Sequence, residues 1–457
     1  MQYFSIIDFL YGPVVLVLLI FFASIHTKRK IETSPEYRYY NWGLYVKLIG
    51  GLALCFIYSF YYGGGDTINY YHDGICMMNL FFTNPSAVFT IMVDGLDIHN
   101  YFYFSPETGY PIYYRDAHTF FVVKVIFLFV LISGGSYIVA TLLVTYASFT
   151  GIWRLYKVFV MEFPQLQKQM AIAILFIPSV FFWGSGILKD TITLAAIGHY
   201  TYGFYMTFIR REKMLTSFLT IAVAAFFLVS IKPYIILALL PGSLVWLVQK
   251  YISQMPNKVM KTLAGPLFFV IAIGGGYVLL LNMNTLLGQY SIDNVLEKAV
   301  TTYKDLKADY YKGNSFDIGE FEATVPSMLS KAPAAITAGL FRPFLWEVRN
   351  IVMLLSGIEG AILMFLTFRI LWKMRIIGIA RYFAKNHLLV FALIFSLFFA
   401  FSVGISTSKF GSLFRYRIPV LPFFVGSLFI LVYFRKRDLK AREQFQPKSA
   451  ETGYLNT

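Results

Sequence analysis

Charge is the first thing this chain lacks. Charged residues make up 14% of its 457 residues, against about 25% in a soluble globular protein. With 58% hydrophobic residues and a mean hydropathy of +0.63, there is more apolar surface than a soluble core of this length can hide. Cysteine is almost missing too. Cys55 and Cys76 are too few for a disulfide framework, and each reads as a small buried or interfacial residue. The six histidines are scattered, with no HExxH and no Cys/His array, so no metal signature is present. A GxxxxGK[ST] phosphate loop and a GxSxG elbow are also missing, which argues against nucleotide hydrolysis. Acidic residues are the scarcer sign, 24 against 39 Lys and Arg, leaving a net charge of +15. The basic residues sit at the ends of apolar runs, where anionic lipid rather than nucleic acid is their natural partner.

What is there is a series of long hydrophobic runs. A helix needs about 20 apolar residues to cross the hydrocarbon core. Spans are expected near residues 4–25, 44–62, 118–153, 170–188, 190–209, 215–231, 233–250, 260–282, 347–372, 387–405 and 418–434. The expected fold is therefore an all-α polytopic membrane bundle of about 11 transmembrane helices. The first run has no basic stretch before it; Lys28, Arg29 and Lys30 follow it. That order reads as a first span rather than a cleavable signal.

Lys28–Lys30, Arg154 and Lys157, Arg210 and Arg211, Lys250 and Lys258, 369–385, and 435–437 fall on one side of this scheme. The positive-inside bias makes that side cytoplasmic. The run 118–153 is too long for one ordinary span and carries Gly134 and Gly135 in its middle. It reads as a tilted helix or as an interfacial piece followed by one span; two full spans would invert every later assignment. Residues 435–457 are expected to be a basic cytoplasmic tail without a fold of its own. The loops 63–117 and 283–346 then lie outside and are expected to carry interfacial helices, at 77–92 and 325–340.

Four polar clusters stand out against this apolar background. In Gly63-Gly64-Gly65-Asp66 and the following residues to Asp73, three glycines let the backbone turn sharply beside a carboxylate at the outer rim. Asp66 is placed to take a proton from an attacking hydroxyl, to hold a divalent cation, or merely to cap a short helix. Asp73, two turns on, would share its face if 66–76 is helical. In Pro178 to Asp190, the pair Lys189-Asp190 interrupts two apolar runs; it either binds a lipid-linked phosphate through Lys189 or forms a tight polar turn. Arg415 and Arg417, before the last span, break the positive-inside rule, for which an anionic ligand or snorkelling to headgroups gives a reason. Arg342 leads into the span at 347–372 and is a further candidate for the anion site, while Glu359 sits inside that span with no partner evident from sequence. Lys232 is another outer-face cation.

Gly65-Asp66 with Tyr70, Pro178-Ser179 through Lys189-Asp190, and Arg415-Tyr416-Arg417-Ile418-Pro419 together resemble bacterial membrane glycosyltransferases of the C-type fold and related proteins of exopolysaccharide and O-antigen assembly. The resemblance covers about residues 60–435. It implies transfer of a sugar from a polyprenyl-phosphate carrier to a glycan, lipid or protein acceptor at the outer face of the bacterial cytoplasmic membrane. By it, Asp66 would be the general base, and Lys189, Arg415 and Arg417 would hold the carrier phosphate, converging on one cavity with Asp66 on the opposite wall. This chain differs from that pattern by an extra span before the catalytic loop and by the absence of adjacent acidic residues. Two alternatives stay open: a polysaccharide polymerase using the same cations, and a transporter of lipid-linked saccharides.

Overall fold

The computed structural model describes residues 4–254, 292–306, 315–383 and 386–445. Its helices are α1 (Ile6–Lys30), α2 (Tyr40–Phe56), α3 (Asp66–Thr83), α4 (Pro85–Asp94), α5 (Ile98–Tyr101), α6 (Ala117–Ile132), α7 (Tyr137–Glu162), α8 (Gln167–Leu175), α9 (Pro178–Trp183) and α10 (Lys189–Phe204). They continue with α11 (Met214–Ile231), α12 (Pro233–Gln254), α13 (Ile292–Leu306), α14 (Val325–Ser330), α15 (Ala332–Phe341), α16 (Ile351–Phe383), α17 (His387–Ser406), α18 (Phe410–Tyr416) and α19 (Val420–Phe445). The protein is a multi-pass helical membrane bundle. Seven of the described helices are long and apolar enough to cross a bilayer, and eight if the bent pair α18–α19 counts as one.

Three of the eleven expected spans are not among these single long apolar helices. The run 260–282 lies outside the described residues. The run 170–188 is a broken segment: Pro178 favours extended backbone at Ile177, which has ψ 123°, so α8 stops and α9 starts afresh. The run 190–209 is a helix, α10 continued by a π-turn over Tyr205–Arg210; it leads from the site end to the opposite end inside the bundle, buried on nearly every side and carrying Thr191, Thr193, His199 and Thr201 rather than a lipid-facing surface.

The ambiguous run 118–153 resolves into α6 and α7. With 16 residues, α6 is about 24 Å long, short of a ~30 Å hydrocarbon core. Its two ends are tied to the same end of the bundle. At its start, His118 Nδ1 lies 2.9 Å from the carbonyl oxygen of Ser230, at the end of α11. Just past its end, Ser136 donates to Asp8 at the start of α1, 2.6 Å. The start of α1 packs on the end of α2 through Phe4, Phe56 and Phe60, and α2 leads to Asp66. So α6 lies across the end of the bundle against α3, and only α7 crosses. The charge-derived sidedness needs no inversion.

Packing follows membrane rules. The outer helices expose apolar faces, such as Leu10, Val17 and Phe21 on α1, while the central helices meet through small residues. A Cβ on Gly151 of α7 would lie 2.1 Å from the Ala195 carbonyl oxygen of α10, and one on Gly198 would lie 2.0 Å from that of Gly151. Gly339 of α15 and Gly404 of α17 do the same against Ala400 and Ala335. Lys30 and Lys213 both lie close enough to act electrostatically on Lys157, at the end opposite α6. Finally, α19 runs to Phe445. The expectation that 435–457 has no fold is corrected for its first part, where helix-favouring residues such as Leu439, Lys440, Ala441 and Arg442 extend the span; residues 446–457 lie outside the described ones.

Candidate functional site

The site forms where α2, α3, α10, α11 and α18 end or begin at one level. After α2, a π-turn and three glycines reverse the chain. Gly65 has φ 113°, and a Cβ there would strike the Tyr58 ring at 2.9 Å, so only glycine fits. The turn delivers Asp66 to the first position of α3, where the helix dipole favours a negative charge. Asp190 takes the equivalent place in the first turn of α10. The non-helical stretch before it, 184–188, is held inside the bundle by protein donors, as backbone at membrane depth must be. Buried Lys47 donates to the Gly184 carbonyl, and Gly186 N–H donates to Thr145 Oγ1 at 3.0 Å.

Arg415, at the end of α18, bridges the two carboxylates. Its Nη1 donates to Asp66 Oδ2 at 2.6 Å, and its Nη2 and Nε donate to Asp190 Oδ2 at 2.9 and 3.1 Å. Lys232, between α11 and α12, donates to the other Asp190 oxygen and lies 4.6 Å from the centre of the Tyr416 ring. Asp66 also accepts a hydrogen bond from Tyr113 at 3.1 Å. Burial pushes the Asp66 carboxyl up, but the charge and hydrogen bond of Arg415 outweigh it and hold the group below the ordinary carboxylate range. Lys189 adds a third cation close enough to act on Asp66, Asp190 and Asp116. It has no hydrogen-bond or ion-pair partner among the described residues. Three cations, Arg415, Lys232 and Lys189, thus face three carboxylates, Asp66, Asp190 and the more distant Asp116.

Asp66 and Arg415 face a cavity of about 430 Å³, whose wall also includes Tyr58, Tyr62, Trp183, Asn350 and Lys409. Asp66 keeps 37% of its side chain exposed there, while Asp190 keeps 2%. Asp66 can thus reach a ligand, and Asp190 holds Arg415 from behind.

Several expected site residues behave otherwise. Asp73 is on α3 but does not join Asp66 in the cavity. Its two oxygens accept the backbone N–H groups of Ile112 and Tyr113 at 2.7 and 2.9 Å, so it fixes the loop that carries the Tyr113 hydroxyl. Its catalytic assignment is corrected to a positioning one. Arg417 does not converge with Arg415. It is fully buried and reaches the Arg342 carbonyl at 2.7 Å and Glu359 Oε1 at 3.3 Å; Glu359 Oε2 in turn accepts Ser179 N–H at 2.9 Å. This buried pair ties α9, α16 and α18 together. Arg342 stacks on Phe316 and Phe344 at 5.1 and 5.4 Å and pairs with Glu347 at 3.5 Å, outside the cavity wall. Lys189 belongs to the charge cluster but not to the cavity wall either. Asp66 does not stand opposite the cations: it is bonded to Arg415 directly. Among the described residues no group of three His, Cys, Asp or Glu side chains could hold a metal ion.

Sequence reasoning did not find the Asp190–Lys232 pair, the Tyr113 contact or the partner of Glu359. The signal for the first was the position of Lys232 at a span end on the same side as Asp190. No family model, curated protein or solved structure matches this chain.

Proposed function

We propose that the protein transfers a sugar from a polyprenyl-phosphate carrier to an acceptor hydroxyl at the outer face of the bacterial cytoplasmic membrane. The observation that supports this best is the Asp66–Arg415–Asp190 bridge at the mouth of a cavity where several helices end, with Lys189 unpartnered beside it. A lipid phosphate entering the cavity would compete with Asp66 for Arg415, because a guanidinium fork suits either anion. The exchange loads the carrier phosphate on Arg415 and removes the hydrogen bond that depresses Asp66. The freed carboxylate then accepts the proton of the acceptor hydroxyl. The acceptor oxygen bonds to the anomeric carbon as the bond from that carbon to the phosphate oxygen breaks. The electron pair leaves with the polyprenyl phosphate, whose charge Arg415 stabilises in the cavity, with Lys189 adding positive potential from outside its wall.

A second reading, transport of a lipid-linked saccharide, has its own support. Two discontinuous helical segments, α8–α9 and α18–α19, the latter bent by 61°, flank the site, and broken helices line the substrate sites of many transporters. Purified protein in liposomes with a polyprenyl-phosphate hexose and a soluble glycan acceptor separates the readings. One hexose added per acceptor is the expected result. Growth of a glycan by whole repeat units would move the assignment to a polymerase, and movement of the lipid across the bilayer without transfer would move it to a transporter.

A further inference from the structure

We propose that an apolar groove between α6, α7, α10 and α11 binds one anionic glycerophospholipid, with an acyl chain in the groove and the phosphate on Arg154. This site is separate from the charged cluster and does not depend on the reaction assigned to it. The groove encloses about 660 Å³. Its rim is hydrocarbon facing outward: Leu128, Leu219 and Val223 are 46, 54 and 56% exposed. The hydroxyls in its wall are already spent on their own helices. Ser148 donates to the Thr145 carbonyl at 2.8 Å, and Thr220 to that of Thr216 at 2.8 Å. The groove therefore presents methyl and methylene groups to whatever fills it.

Its one charged end is Arg154. Seventeen residues beyond Tyr137 on α7, Arg154 stands about 26 Å from the site end, at the headgroup level of the opposite leaflet. The arginine is aimed by neutral groups only. Thr150 donates its proton to the Ala147 carbonyl at 2.7 Å, so it can only accept from His199 Nε2 at 3.1 Å. That fixes the imidazole with its Nδ1 lone pair toward Arg154 Nη1, also 3.1 Å away. The guanidinium lies over the Tyr202 ring at 5.3 Å. Among the described residues it has no ion-pair partner, and Glu212 pairs with Arg210 at 3.0 Å. A guanidinium has five donors, and most of these remain for an anion. Lys157, 5.9 Å from the same ring, adds positive charge on this side. A cation held in place without a counter-ion, at the headgroup end of an apolar groove, is complementary to a phosphodiester carrying an acyl chain.

Native mass spectrometry of the full chain in detergent, titrated with phosphatidylglycerol or with phosphatidylcholine of the same acyl chains, tests this. The expected result is one phosphatidylglycerol retained in preference to phosphatidylcholine. Arg154→Gln should weaken that binding about tenfold, the loss of one charge-assisted contact, while phosphatidylcholine binding stays the same. Arg154→Lys, which keeps the charge, should retain a measurable preference; a variant damaged in folding would not. Ala147→Trp, at an exposed position on the groove wall, should block the chain and abolish the preference with an unchanged melting temperature. Equal retention of the two lipids by the unaltered protein would show boundary lipid only and overturn the proposal. So would a wild-type preference in Arg154→Gln or in Ala147→Trp.

Discussion

Arg415 and Arg417 are separated by one residue, yet they sit in opposite kinds of environment. Arg415 stands at a cavity and is shared between an exposed and a buried carboxylate. Arg417 is sealed in the bundle against Glu359 and two backbone carbonyls. The difference separates two uses of a charge near a membrane. A cation whose acidic partner can be replaced by a ligand is suited to binding. One whose partners are all fixed protein groups is suited to joining helices.

The first way to break this comparison is to remove each arginine. Arg415→Ala should lower sugar transfer by about 10²–10³-fold, the scale of a lost charge-stabilising donor, while the protein remains folded because Asp190 keeps Lys232. Arg417→Ala should instead cost roughly 3–5 kcal/mol of stability, since it strands Glu359 as a buried unpaired charge. Thermal melting in detergent, run beside the transfer assay, reads both. The reverse pattern would exchange the two roles. The double variant Arg417→Met with Glu359→Leu sharpens the point. Replacing a buried pair with apolar groups is often neutral or stabilising, so most of the lost stability should return, less the hydrogen bond to Ser179.

Smaller effects follow from the loop that serves Asp66. Tyr113→Phe removes one hydrogen bond to that carboxylate and should cost about 0.5–1.5 kcal/mol, seen as a loss of up to about tenfold in transfer. The smallest effect concerns His72. Its hydrogen bond to Asp73, and a second to Cys76, raise the imidazole to about 10, above an ordinary value of about 6.5. A raised histidine stabilises the fold fully below about pH 6.5, and that contribution disappears as pH rises through about 10. The melting-temperature difference between the unaltered protein and His72→Gln should therefore be largest in acid and vanish above pH 10. A difference that grew with pH would show that His72 is not held protonated by Asp73.

The same comparison explains what the sequence could tell. Burial of so much apolar surface and the placement of Lys and Arg at run ends made the membrane bundle legible. The Gly65-Asp66 and Lys189-Asp190 pairs drew attention because charges beside apolar runs are costly. Arg415 and Arg417 looked equivalent because a linear pattern does not say which side faces the cavity. Residues two apart on a helix do not face one another, and the bend between α18 and α19 turns them further apart. Hydropathy also read 170–188 as one continuous helix, although Pro178 carried the break within it. The Asp190–Lys232 and Arg417–Glu359 pairs join residues 42 and 58 positions apart, and such pairings exist only once the helices have packed.

The central claim is that Asp66, released from Arg415 by a carrier phosphate, accepts the acceptor's proton. The most direct measurement is the initial rate of hexose transfer from polyprenyl phosphate by Asp66→Asn in liposomes, normalised to correctly folded protein. Asparagine keeps the size and the Tyr113 contact but cannot take a proton. The account predicts a fall of about 10²–10⁴-fold with carrier binding retained or tightened, since Arg415 no longer has a carboxylate to release. Transfer at the unaltered rate would contradict it.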